Sequence, residues 1–168
     1  MAVTKQSQLL TFFHHHVWAN NRMFDECLKL NDEQLDFASA GTYGSIKATL
    51  AHLVRAEERY LFFLTENEVT DGPKANPQMP VAELKSRIQK SGKTLLEVAT
   101  AVQPDSQVQV GEGQEAELIP AVVLLLQAVY HAHEHRTHIA TLLGQMGLEP
   151  PGLSGWNFYD EEIVPNSQ

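Results

Sequence analysis

The sequence predicts an all-α protein in which a single domain, residues 1–168, forms a four-helix bundle. Apolar residues recur at a spacing close to 3.6 in four segments, which is the period of an amphipathic helix. No segment shows a convincing strand pattern, and 168 residues suit one domain with its own core. Four long helices without a sheet are typical of a bundle.

The first two helices are predicted at about residues 5–30 and 45–66. Ser45 begins the second helix, because its hydroxyl can accept a hydrogen bond from a free N–H of the first turn. A polar stretch with two glycines separates the helices. The apolar stripe of the first helix consists of Leu10, Phe13, Val17, Phe24 and Leu28.

The longest predicted connection is residues 67–80, where a glycine and three prolines prevent a continuous helix. A connection of this length can cross from one end of the bundle to the other, so the sequence also allows a topology other than up-down-up-down. The third helix is predicted at about residues 81–102. After it, alternation of Val108 and Val110 allows a short hairpin within residues 105–117.

The fourth helix is predicted at about residues 119–145, with Pro120 in its first turn, where a missing N–H is tolerated. Gly147 and the two prolines after it end this helix. The tail, residues 147–168, carries three aromatic residues that we expect to cover one end of the core: Trp156, Phe158 and Tyr159.

The charge balance argues against partners with negative surfaces. Asp and Glu total 21 against 12 Lys and Arg, so the formal net charge is −9. An acidic surface repels phosphate backbones and anionic lipids, and no local basic patch compensates. The longest apolar run, 119–130, is shorter than the roughly 20 residues that span a bilayer. We therefore expect neither nucleic acid nor membrane as a partner.

Cysteine usage and the first residues predict a cytoplasmic protein. Cys27 is the single cysteine, which excludes an internal disulfide and a cysteine-rich metal site. Residues 1–8 lack the apolar core of a signal peptide. No histidine stands at a partnering position on the same helix, so we expect Cys27 to be a buried, inert thiol.

Histidines are the candidate functional residues. Four lie within eight residues of the fourth helix: His131, His133, His135 and His138. At about 100° per residue, His131 and His135 are one turn apart on one face, where both can reach one metal ion. His138 lies on the same side, so a pair of His135 with His138 is also open, whereas His133 points nearly opposite. The alternative is that these histidines line a polar seam.

His52, on the second helix, is a third candidate ligand. It lies on the flank of that helix's apolar stripe, a position that a purely structural histidine could also occupy. Three histidines from two helices would leave coordination positions open, as in catalytic metal sites.

Three stretches together resemble the DinB/YfiT-like proteins. These are Val17-Trp18-Ala19-Asn20 in the first helix, Thr42 to Leu61 around Ser45 and His52, and His131 to Ile139 followed by Leu142-Leu143 and Gly147. Each motif is short, and only the combination is specific. The resemblance covers essentially the whole chain, and it implies an up-down-down-up bundle with a long crossover between helices two and three.

The resemblance also implies a function. It assigns His52, His131 and His135 as ligands of a divalent ion such as nickel, zinc or iron. Characterised relatives transfer or isomerise with low-molecular-weight thiols such as bacillithiol or mycothiol, which implies a thiol S-transferase acting on a small-molecule substrate. Hydrolase or isomerase chemistry is less favoured. The alternative is a non-catalytic metal-binding or stress-related interaction bundle.

Two accessory residues have two interpretations each. The family's Gly-Gln after the arginine is replaced here by Thr137-His138. His138 could add a fourth nitrogen near the metal, but replacement of a polar packing residue is favoured. Glu57, within an apolar stripe, could orient a ligand histidine, but a salt bridge with an arginine such as Arg136 is favoured.

Other polar residues are assigned to the surface. His14, His15 and His16 point in three directions on a helix, so they cannot form one site and are interpreted as surface or seam residues. Glu134 is likewise expected to be solvated.

A homodimer is implied by the resemblance and weakly supported by the first helix. Phe12, Trp18 and Met23 lie off its main apolar stripe, and a helix that is apolar on two sides usually has two partners. Alternatively, the tail aromatics fold over that second face and the chain stays monomeric.

Overall fold

All four predicted helices are present in the structure, a computed structural model that describes residues 5–65, 74–111 and 116–165, with side chains from residue 10. The elements follow the chain in this order: α1 (Lys5–Cys27), α2 (Asp32–Leu35), α3 (Ile46–Leu64), α4 (Val81–Ala101), β1 (Gln107–Val110), β2 (Glu117–Pro120), α5 (Ala121–Gln145), α6 (Gly155–Phe158) and one π-helical turn (Tyr159–Ile163). The predicted helical bundle is confirmed, and its four helices are α1, α3, α4 and α5.

Helix α1 ends three residues before the predicted end, and a short helix that we did not predict follows it. Asn31 starts α2 with a capping box: its side chain accepts from the Gln34 N–H at 2.9 Å, and the Gln34 side chain accepts from the Asn31 N–H at 3.0 Å. This pairing begins a new helix with its own axis. Leu28, assigned to the apolar stripe, therefore lies beyond α1 and is exposed.

The predicted cap of α3 is confirmed. Ser45 has extended backbone geometry, and its hydroxyl accepts from the Ala48 N–H at 3.2 Å. The loop before it is held by the Thr42 hydroxyl, which donates to the Ser39 carbonyl at 2.8 Å. The start of α3 is thus anchored on both sides of Gly44.

Two apolar clusters show the directions of the helices. The first joins the carboxyl halves of α1 and α5 to the amino halves of α3 and α4, and it includes Phe24, Leu50, Leu84 and Leu142. The second joins the opposite halves, and it includes Phe13, Leu61, Leu95 and Leu125. Helices α1 and α5 therefore run one way, and α3 and α4 run the other way.

Helices α3 and α4 are parallel neighbours, so the chain between them returns along the length of the bundle. The observed gap between the two helices is 65–80, and it includes Pro77 and Pro80. Residues 66–73, which contain the glycine and the first proline of the predicted crossover, lie outside the described residues. Helix α1 packs mainly against α4 and α5, which closes the bundle.

A short hairpin is present, as the alternation of Val108 and Val110 allowed. Its second strand includes the first residues of the predicted fourth helix, so this helix starts later than predicted. Strands β1 and β2 are antiparallel, with Val108 opposite Ile119 and Gln107 opposite Pro120. Because Ile119 and Pro120 belong to this ladder, α5 begins at Ala121 and Pro120 caps it with an extended ψ of 129°. The prediction that Pro120 lies in the first turn was wrong by one residue.

Only one of the three tail aromatics covers the core. Phe158 is buried against Trp18, with ring centroids 5.4 Å apart and a nearly edge-on geometry. Trp156 is 79% exposed and Tyr159 is 47% exposed, because α6 and the π-helical turn point those rings away from α1. Through Phe158 the tail covers Trp18 on the second apolar face of α1, whereas Phe12 on that face stays 66% exposed. Trp18 and Met23 are both buried within the chain, so they provide no interface.

Among the described residues, no helix has the length and apolar character needed to cross a membrane.

Candidate metal centre

The structure brings His52, His131 and His135 together. His131 and His135 project from one face of α5, one turn apart, and His52 projects from α3, which packs against α5. The Nε2 of His131 lies 2.9 Å from Nε2 of His52 and 3.1 Å from Nε2 of His135. Each residue offers one nitrogen, and the three lie within 4.8 Å of one another.

The two contacts made by His131, at 2.9 and 3.1 Å, are close to the separations expected around a cation. Two nitrogens that bind one ion at about 2.1 Å are separated by about 3.0 to 3.4 Å when the bond angle is 90° to 109°. Without a cation, each of the two close contacts needs a proton on one of its two nitrogens, because a neutral imidazole carries a proton on only one nitrogen and two lone pairs at this distance repel each other. A divalent ion removes this constraint, since each Nε2 then presents a lone pair to it.

Burial keeps the three rings neutral. The pKa of His135 is lowered to about 4, first by desolvation and then by His131, His52 and His138. Desolvation is also the main cause that lowers the pKa of His52, with Arg55 second. For His131, desolvation and then His52 lower the pKa. Neutral imidazole is the form that binds metal, so the environment favours ligation.

Two tyrosines border the cluster, and neither was predicted as a site residue. The Tyr43 ring stacks on His52 and meets His135 edge-on, and its hydroxyl is 3.0 Å from Nδ1 of His52. The Tyr60 ring is edge-on to His131, with centroids 5.9 Å apart. Tyr43 precedes the Ser45 cap by two residues, and nothing in its spacing to His52 indicates the contact.

The remaining histidines of α5 lie outside the three-nitrogen cluster. His133 is exposed, in agreement with its predicted opposite direction. The ring centroid of His138 is 5.4 Å from that of His135. The Nδ1 atoms of His135 and His138 are both buried and make no hydrogen bond to any described residue.

Glu57 belongs to a different buried site, where its charge attracts Arg136 but the favoured direct salt bridge between the two is replaced by a contact with His16. Its carboxylate contacts Nε2 of His16 at 2.7 Å and accepts from the Ser91 hydroxyl at 2.5 Å. Arg136 donates instead to Asn20 Oδ1 at 2.5 Å. Five residues turn a helix by about 140° at 100° per residue, so Glu57 faces away from His52.

Of the two interpretations given for the three N-terminal histidines, surface or seam, His16 fits the seam. His14 is exposed and His15 half-buried, but His16 is fully buried. The three side chains do point in different directions, as predicted. A buried carboxylate on α3 requires a buried partner, and this requirement was the available signal for His16. Glu134 is exposed, as predicted.

Cys27 is fully buried, and burial, followed by Glu26, raises its pKa to about 12. A thiol in this environment stays protonated and out of reach of solvent, so it is inert. This agrees with the sequence-based prediction.

The fold and the cluster define a class: a helical-bundle protein with three histidine nitrogens that could hold a metal ion. The model of the DinB family matches residues 1–165 of the 168. The chain belongs to the DinB family.

One similar solved structure is the crystal structure of a DinB-like protein from Bacillus cereus. The TM-score is 0.62 with 18% sequence identity, and the match covers 90% of this chain and 99% of the other. At this identity the likeness shows the shared fold. A comparison with the curated proteins found no match.

Proposed function

We propose that this DinB-family protein is a metal-dependent enzyme that binds one divalent ion through His52, His131 and His135. The observation that carries this proposal is the convergence of three Nε2 atoms from two helices, with contacts of 2.9 and 3.1 Å. Imidazole ligands suit nickel, zinc and iron, which are the candidate ions.

We propose a thiol S-transferase reaction on a small-molecule substrate. Three protein ligands leave a coordination position open, as in catalytic rather than structural centres. A divalent ion there lowers the pKa of a thiol or water that binds to it, so that the nucleophile is available near neutral pH. Cys27 is buried with a raised pKa, so the reacting thiol has to be a separate low-molecular-weight molecule.

Tyr60 is a candidate proton donor beside the centre. Its pKa is raised, mainly by burial, so the hydroxyl keeps its proton at neutral pH. Gln127 acts in the opposite direction on the pKa of this hydroxyl, but burial outweighs it. A neutral phenol in this position can donate to an anionic substrate group or leaving group.

We also propose a homodimer in the cytoplasm, with the interface on α5 instead of α1. Three exposed apolar residues of α5 repeat at a spacing of four and extend for about 12 Å at 1.5 Å per residue. They are Val122, Leu126 and Tyr130, with Val123 beside them and the exposed Leu118 of β2 before them. A continuous apolar face of this kind is typical of protein interfaces. The unpaired Cys27 suits a reducing compartment.

The ligand assignment is tested by metal content after purification without a histidine tag. We expect about one divalent ion per chain in the wild type and loss of stoichiometric metal in H52A, H131A and H135A. H133A is the matched control, since His133 lies on the same helix but is exposed. Loss of metal in H133A together with retention in H131A would show that the ligand assignment is wrong.

The reaction is tested by thiol consumption with a panel of small electrophiles. We expect turnover that requires the metal and is absent in H131A. A protein that holds its metal but consumes no thiol with any electrophile would support the non-catalytic metal-binding bundle.

A further inference from the structure

Tyr43 contacts the candidate metal centre from the loop before α3, which carries none of the three candidate ligands. It lies two residues before the Ser45 cap of α3, and half of its surface is exposed. Its ring is nearly parallel to that of His52, at 24° with centroids 4.2 Å apart, and nearly perpendicular to that of His135, at 85° and 4.8 Å. One side chain therefore covers two of the three histidines.

The hydroxyl of Tyr43 is also within hydrogen-bond distance of His52. It lies 3.0 Å from Nδ1, the nitrogen that points away from the cluster. When Nε2 of His52 binds a cation, the single ring proton must be on Nδ1, which then donates to the Tyr43 oxygen. Outer hydrogen bonds of this type orient metal-bound histidines and increase their basicity.

His52 needs such a partner more than the other two histidines do. His131 and His135 are one turn apart on α5, so a single rigid backbone fixes their relative positions. His52 alone comes from α3, so its position relative to the other two depends on the packing of two helices and on its own side-chain contacts. Nδ1 of His135, by contrast, is buried and has no hydrogen bond within the described part of the chain.

The loop that carries Tyr43 is held in place. The Thr42 hydroxyl donates to the carbonyls of Ser39 at 2.8 Å and Gly44 at 3.3 Å. On the other side, the Ile46 N–H donates to the Phe37 carbonyl at 3.3 Å. Hydrogen bonds on both sides of Tyr43 reduce the conformational entropy lost when its hydroxyl meets His52.

We propose that Tyr43 is a positioning residue for the metal, which holds the His52 ring with Nε2 directed into the cluster. This inference rests on the proposed metal site. It predicts that loss of the hydroxyl weakens the metal complex and changes its geometry while the fold is kept.

The test is Co²⁺ binding by the full chain, followed by a competition titration for affinity and by the visible absorption spectrum for coordination geometry. We expect Y43F to weaken Co²⁺ binding by about tenfold, within the range known for outer hydrogen-bond partners, and to shift its visible bands. Y43A should lose more, because the stacking is lost as well. Y159F is the matched control, since Tyr159 is 47% exposed and lies in the tail.

The outcomes are distinguishable. Y43F with wild-type affinity and spectrum would overturn the positioning role, and so would an equal loss in Y159F. A weaker Co²⁺ affinity with an unchanged spectrum would show that Tyr43 only packs against the site, and it would also overturn the positioning role. A wild-type protein that binds no Co²⁺ would overturn the proposed metal site itself. Y43F keeps the ring, so the test remains valid even if Y43A does not fold.

Discussion

His135 is buried, and its pKa of about 4 lies well below the ordinary value of 6.5. An unfolded chain would protonate this histidine as the pH falls through about 6.5, whereas the folded protein resists protonation until about 4. Between these values the unfolded state binds more protons. The stability of the metal-free protein therefore decreases as the pH falls through this window, and His135 contributes to the decrease.

We expect this contribution to be visible in H135Q, because glutamine does not titrate. For the metal-free proteins, we expect the melting temperature of the wild type minus that of H135Q to be larger at pH 7.5 than at pH 5. Thermal melts followed by circular dichroism, in the presence of a chelator, measure this difference. A difference that does not change with pH would contradict the lowered pKa.

Glu57 is the other residue whose surroundings decide its role. It contacts His16 and Ser91, and Asn20 donates to it at 3.3 Å. Arg136, also buried, has its pKa lowered to about 10 by desolvation, with Glu57 opposing that change. Arg136 thus stays charged at neutral pH, and the Glu57 carboxylate is the negative charge that compensates it.

Removal of this carboxylate should be strongly destabilising. E57A leaves a buried arginine and a buried histidine without their anionic partner, for which we expect a loss of about 3 to 5 kcal/mol in the free energy of unfolding. E97A is the control: Glu97 is exposed on α4, so its effect should be within about 0.5 kcal/mol. Urea denaturation measures both values, and a loss below about 1 kcal/mol in E57A would contradict the structural role.

At the scale of elements, α3 and the loop before it provide the third candidate ligand and both tyrosines that border the centre. Helix α3 carries His52, its first turn follows Tyr43, and its far half provides Tyr60. The Ser45 hydroxyl satisfies one of the free N–H groups at its start.

We therefore expect S45A to decrease the stability by about 1 kcal/mol, the usual cost of losing a side-chain cap. S86A is the matched control, because Ser86 is exposed within α4, where alanine is the better helix former. Denaturation curves for the two variants give the comparison. Equal stabilities would show that the cap does not contribute.

At the scale of the whole molecule, the described part of the chain leaves a row of apolar side chains exposed on α5, the α5 stripe around Leu126. The surface that first suggested a dimer is different: the tail and the bundle interior bury Trp18 and Met23 of α1. If two copies associate, the α5 stripe is therefore the surface that we expect them to share.

Light scattering tests this directly, since one chain has a mass of 18.8 kDa. We expect twice that mass for the wild type at tens of micromolar and a decrease toward one chain in L126D with its helicity kept. F12D is the control, since Phe12 is exposed on α1. A wild-type mass of one chain would exclude the dimer. If F12D dissociates the dimer and L126D does not, the interface lies on α1.

The sequence by itself determined the four helices, the Ser45 cap and the shared face of His131 and His135, because spacing and local hydrogen bonds depend on residues near in the chain. It only allowed a hairpin, and it assigned part of the second strand to the fourth helix. It could not determine that Glu57 meets His16 or that Tyr43 meets His52. The position of His52 on its helix left a structural role open, and the family resemblance assigned it as a ligand. Only the tertiary structure decided these contacts, because they depend on how helices distant in sequence pack and on which side chains that packing removes from water.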